Sequence, residues 1–160
     1  MSIRQPEKYQ GVIFLNPALR EIKESQYYSK KIGKLLGYLA PKLKFLSQGF
    51  TSATKYDTTK IQIANPYIYN DKHIPGSIRV ALTAMEEIEK SYKLFSNDYI
   101  LFQGGVDKSV DLFAPLDFEK ECTSKDKTTV YIKSMWHSTF YEEEVKDITI
   151  MIIDWLQKRI

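Results

Sequence analysis

The sequence has 160 residues, 43% of them hydrophobic and 27% charged, with a formal net charge of +3 at pH 7. That length and composition suit one core-bearing globular domain and exclude a disordered chain, and so mild a charge, with no basic stripe or binding motif, excludes nucleic acid as the partner. The single cysteine, Cys122, excludes an intrachain disulfide, no run approaches about 18 apolar residues, and MSIRQPEKYQ has no apolar signal core, so a cytoplasmic location is expected.

In chain order, Ser2 to Tyr9 is polar and interrupted by Pro6, and reads as the tail of a helix followed by a turn. Gly11 to Leu15 is a continuous apolar run, predicted as a buried strand that Asn16-Pro17 ends. Tyr27 to Leu46 is amphipathic: Tyr28, Ile32, Leu35, Leu36, Leu39, Leu43 and Leu46 share one arc, with Lys30, Lys31, Lys34, Lys42 and Lys44 opposite and Pro41 as a break or kink. Such a helix either buries its apolar stripe or offers it to a lipid surface while the lysines meet anionic headgroups. Gln48 to Pro75 is turn-rich, and His73 within it has no second ligand at metal spacing. Gly76 to Phe95 is predicted as a second helix, with Ile78, Leu82, Met85, Ile88 and Tyr92 along one face. Tyr99 to Phe102 is again continuously apolar, a strand covered on both faces, and Gln103-Gly104-Gly105 stops it. A helix over Leu112 to Glu121, a charged turn at Lys125 to Lys127, a strand over Thr128 to Ile132 and a helix over Val145 to Arg159 complete the chain. Strands joined by helical crossovers imply an α/β fold with parallel strands.

Two polar residues stand where open α/β sheets keep their chemistry, just beyond the ends of strands. Asp107 lies two residues past the glycine pair, and His137 follows the last strand. An Asp and a later His on such loops are two members of an acid–base–nucleophile arrangement, although an Asp after Gly-Gly is equally the residue type of a turn or helix cap. Asp111 is a second candidate for the acid; the exit from the strand favours Asp107. Ser109, Ser134 and Ser138 sit near this pair, but none lies on a glycine-flanked strand–turn–helix elbow. Cys122 has no activating neighbour in sequence, and Gly104-Gly105 lacks the spacing of a phosphate loop.

The stretches ILFQGGVDKSVD and KDKTTVYIKSMWHS, the acidic turn after them and the final helix ending WLQKR resemble the C-terminal part of the monoacylglycerol lipase-like α/β-hydrolases, grouped with the S33 serine aminopeptidases. GVIFLNPAL resembles the strand after that family's nucleophile helix, and NPYIY, Asn65 to Tyr69, the motif that closes its cap. The resemblance implies the C-terminal half of an α/β-hydrolase: a single partial domain over 1–160, about three parallel strands with flanking helices, and a helical cap insertion over approximately 18–75. It implies Asp107 as triad acid, His137 as triad base, a lipid or acyl ester as substrate, no metal or organic cofactor, and peripheral membrane contact through Tyr27 to Leu46. No G-x-S-x-G occurs in these residues, so the nucleophile and its oxyanion hole are expected upstream of Met1. The expectation is then a fragment without turnover of its own, whose first strand lacks a neighbour and would pair with a missing N-terminal half or with another copy. The alternative is a non-catalytic binding or assembly protein derived from the same fold.

Overall fold

Three short runs become three parallel strands: VIFL and YILFQG are apolar, while KTTVYI is rich in the β-branched residues that suit a half-buried strand. Only the second is buried throughout; the first, expected as a buried strand, is half-buried with Ile13 exposed, because it lies at the edge of the sheet among the described residues. The computed structural model describes residues 3–22, 27–43 and 74–159, the side chains of 27–30 excepted. The strands are β1 (Val12–Leu15), β2 (Tyr99–Gly104) and β3 (Lys127–Ile132), in spatial order β1-β2-β3. Val12 stands opposite Tyr99 and Leu15 opposite Phe102; Tyr99 stands opposite Lys127 and Gly104 opposite Ile132. The helices are α1 (Tyr27–Leu39) and α2 (Pro75–Lys90), both inserted between β1 and β2, then α3 (Ala114–Glu121) and α4 (Val145–Gln157).

β2 is the centre of the molecule, and every one of its residues is buried. Its side chains alternate between two cores, as the pleat requires. Tyr99 and Leu101 face Leu19, Tyr92, Phe95 and Phe118, while Ile100 and Phe102 face Met135, Ile148 and Trp155. The first core is aromatic: Phe118 meets Phe95, Tyr92 and Tyr99 with ring centroids 5.1, 5.2 and 5.2 Å apart. Each large apolar side chain so buried contributes about 1.5–3 kcal/mol.

Element ends differ from the sequence reading where a side chain has a competing demand. α1 stops at Leu39, two residues short of Pro41, whose ring excludes the helical conformation in the residue before it. α2 ends at Lys90 instead of running to Phe95, and a short 3-10 turn over Tyr92–Leu94 follows. That turn brings Tyr92 into the core, where its hydroxyl donates to Leu19 O at 3.0 Å. The polar N-terminal segment forms a 3-10 turn over Pro6–Lys8 in place of the tail of a longer helix. α3 begins at Ala114, since Asp111 Oδ1 accepts from the amides of Phe113 (2.8 Å) and Ala114 (3.1 Å) and thereby starts the helix.

α1 packs on α2 through its small residue. Gly37 is buried, and a side chain there would strike Pro75 O and Arg79. Lys34 pairs with Glu86, and the Arg79 guanidinium lies 4.5 Å from the Tyr38 ring centroid. The apolar stripe read from the sequence is therefore not the packed face: Ile32, Leu35, Leu39 and Leu43 are all exposed. The expectations for Asn65 to Tyr69, for His73 and for the helix beyond Leu43 lie outside the described residues.

Candidate active site

The exits of β2 and β3 are knitted into one layer. Gly105 N donates to Ile132 O at 2.8 Å and Val106 N to Met135 O at 3.3 Å. This close approach is what Gly104 provides: a Cβ there would collide with Met135 O and lie 2.8 Å from Trp136 O. Met135 is fully buried and pins the second loop into the core beneath it. Asp107 and His137, thirty residues apart, project from these two loops onto each other.

His137 Nδ1 lies 2.8 Å from Asp107 Oδ2. The other carboxylate oxygen accepts from Ser109 N at 2.7 Å. The Asp107 side chain has no exposure to solvent, and the imidazole is one-third exposed (33%). A carboxylate accepts only, so the neutral ring carries its proton on Nδ1 and leaves Nε2 as a base. The hydrogen bond to Asp107 raises the His137 pKa above its ordinary 6.5, against the opposing effect of burial. A hollow of about 230 Å³ opens beside the ring, lined by Leu15, His137, Ser138, Thr139, Phe140 and Tyr141.

Asp111, the rival acid, is engaged elsewhere. Arg20 Nε donates to its Oδ2 at 3.0 Å and Arg20 Nη2 to its Oδ1 at 3.1 Å, and Arg20 also pairs with Asp117. Burial pushes the Asp111 carboxyl upward, but the Arg20 hydrogen bonds and charge, together with the amides of Phe113 and Ala114, outweigh it and hold the carboxyl below its usual range. Of the serines considered, Ser109 serves Asp107 through its backbone, and Ser134 donates to Glu144. Ser138 lines the hollow, but among the described residues no serine hydroxyl is hydrogen-bonded to the His137 ring. Cys122 is buried in the aromatic core. Among the described residues no three His, Cys, Asp or Glu side chains stand together to hold a metal ion. No helix among them is long and apolar enough to cross a membrane.

Sequence reasoning missed two residues at this layer. Arg20 carried no signal beyond its charge. Asn16, read as a strand terminator, adopts φ 44°, the one positive φ of a non-glycine residue among those described, and its side chain is buried against the His137 loop. An Asn at a strand end before Pro signals a turn, and nothing local reveals a contact 121 residues away.

A family model described as "Serine aminopeptidase, S33" matches residues 1–144. No curated protein matches the sequence. Among solved structures, the chain is similar to a monoacylglycerol lipase of Paleococcus ferrophilus, with TM-score 0.85 and 22% identity over 99% of this chain and 63% of that one. It is also similar to a soluble variant of monoglyceride lipase from Saccharomyces cerevisiae, with TM-score 0.77 and 18% identity over 94% of this chain and 56% of that one. The chain thus spans 63% and 56% of the lengths of these two relatives. At such identities the likeness establishes the α/β-hydrolase fold.

Proposed function

Because the chain belongs to the serine aminopeptidase S33 family, we propose that Asp107 and His137 are the acid and base of a serine hydrolase triad acting on a carboxylic ester, of which a monoacylglycerol or similar lipid ester is the preferred kind. The observation that carries this reading is the 2.8 Å contact between a solvent-shielded carboxylate and Nδ1 of an imidazole one-third exposed, at the ends of adjacent parallel strands. Support for an ester comes from the two lipases that share the fold; the family's description keeps an amide as the rival substrate.

In this mechanism His137 Nε2 takes the proton of an attacking hydroxyl as oxygen bonds to the ester carbonyl carbon. It returns that proton to the leaving alcohol when the tetrahedral intermediate collapses, and water repeats the cycle to release the acid. Asp107 holds the Nδ1 proton and balances the imidazolium charge. The hydroxyl belongs to polypeptide outside these 160 residues, since no G-x-S-x-G lies within them. Residues 1–160 then form a partial hydrolase domain with 18–75 as its cap. The exposed Ile32, Leu35, Leu39 and Leu43, with Lys31 and Lys42 also exposed, support peripheral contact of α1 with lipid.

The same missing elbow favours a second reading, a non-catalytic binding or assembly protein. Purified chain is expected to take up no fluorophosphonate and to leave monoacylglycerol intact. Stoichiometric labelling at a serine, abolished by His137→Ala, would place the nucleophile inside the chain and overturn its assignment elsewhere. Sequencing the transcript upstream of the Met1 codon separates the two readings: an open frame reaching G-x-S-x-G supports the hydrolase, and a transcript beginning at Met1 supports the binding protein.

A further inference from the structure

The end of β1 contributes no titratable group to the site, yet one of its side chains touches both loops that do. Asn16 is buried, at 3% exposure. Its Nδ2 donates to Trp136 O at 3.0 Å, His137 O at 2.7 Å and Thr139 Oγ1 at 3.0 Å, and its Oδ1 accepts from Gly104 N at 2.6 Å. The opposite amide orientation would turn the NH2 against the Gly104 N–H and the oxygen against two carbonyls, so the partners themselves fix the assignment. Two N–H bonds serve three acceptors, and the shortest contact is the one to the carbonyl of His137. The residue's φ of 44° suits asparagine better than any residue but glycine.

We propose that Asn16 is the positioning residue of the acid–base pair: its carboxamide fastens the backbone of His137 to the end of β2, from which the Asp107 turn departs, and so sets the imidazole against the carboxylate. The route is short on both sides. Gly104 N is held by Asn16 Oδ1, and Gly104 O accepts from Asp107 N at 3.4 Å. On the other side the bonds grip the backbone of His137 and of the residue before it. Without the carboxamide, the His137 loop keeps its attachment through Met135 and its own turn bond from Thr139 N to His137 O (3.1 Å), but loses the bonds that tie the histidine's peptide to the end of β1. The imidazole would then swing relative to a carboxylate that Ser109 N still holds. The inference rests on the reading of Asp107 and His137 as a working pair, and its test separates the two.

Imidazole nitrogen NMR on the full 160-residue chain follows His137 directly, because His73 is the only other histidine. Wild-type protein is expected to show a low-field Nδ1 proton and a His137 titration above the ordinary 6.5. Asn16→Ala should lose the low-field proton and move the titration back toward 6.5. Tyr92→Phe, which removes a buried hydrogen bond on the other face of the sheet, should leave both unchanged, so a general loosening of the fold is not mistaken for positioning. Should Asn16→Ala not fold, Asn16→Asp carries the same test, being isosteric, tolerant of positive φ and deprived of the NH2 donors. A third measurement needs no substitution: the Asn16 Nδ2 protons of the wild type should exchange slowly and show proximity to Thr139. A folded variant that retains the low-field proton and the raised titration, or wild-type Nδ2 protons that exchange freely, would overturn the role of Asn16. Absence of the low-field proton in the wild type would instead defeat the Asp107–His137 pair itself.

Discussion

Asp107 and Asp111 leave the same strand four residues apart, and both are buried, yet they belong to different kinds of region. Asp111 meets Arg20, itself 6% exposed, through two hydrogen bonds, and starts α3 with its remaining capacity. Asp107 meets an imidazole one-third open to solvent. A guanidinium never yields its proton near neutral pH, so the first pair is a permanent clamp. An imidazole gains and loses a proton within that range, so the charge of the second pair can change. The partner, more than the carboxylate or its burial, decides which region holds the fold and which can do chemistry.

The largest effect should come from breaking the clamp. Arg20→Met leaves Asp111 buried without its cation, and removing one partner of such a pair costs about 3–5 kcal/mol. Urea unfolding should show that loss, while the His137 titration of the folded variant stays where it was; a loss below about 1 kcal/mol would mean Asp111 finds water or another donor.

Gly104→Ala attacks the seam between the two regions. Its methyl would press on the carbonyls of Met135 and Trp136, and such overpacking costs about 1–3 kcal/mol. Unlike Arg20→Met, it should also disturb His137, which NMR would report as a displaced titration.

The smallest effect is the pH dependence of stability, and here the two regions carry opposite signs. The folded-state pKa of His137 is raised, so its contribution is fully present below the ordinary 6.5 and is lost as pH rises through the folded value. That of Asp111 is lowered, so its contribution is present above the ordinary 3.8 and is lost as pH falls through the folded value. Asp107→Asn should flatten the upper window alone and Arg20→Met the lower alone, as read by thermal unfolding across pH. The upper window is shallow, because the imidazole is partly solvated and its interaction screened.

The sequence by itself determined the three strands and their parallel crossovers, because short apolar or β-branched runs bounded by turn signals and joined by helical segments have few alternatives. Tyr99 to Phe102 was legible as a strand covered on both faces, and the last helix from its periodicity. Val12 to Leu15 was legible as a strand but not in its burial, since none of its residues is fully buried. Asp107 and His137 were legible as residues beyond strand ends, and the glycine pair as a stop. What the glycines are for was not: Gly104 is required by a backbone crossing from Met135 and Trp136, far along the chain. The apolar stripe of α1 marked a helix correctly, but the face packed on α2 is the one with Gly37, because interhelical approach is set by the smallest residue at the crossing. Only the tertiary structure showed which partner each aspartate has. Arg20 lies 91 residues before Asp111, and Asn16 lies 121 before His137. Local propensity and spacing report on neighbours along the chain, while these partners are brought together by parallel strands whose order in space places β1 beside β2.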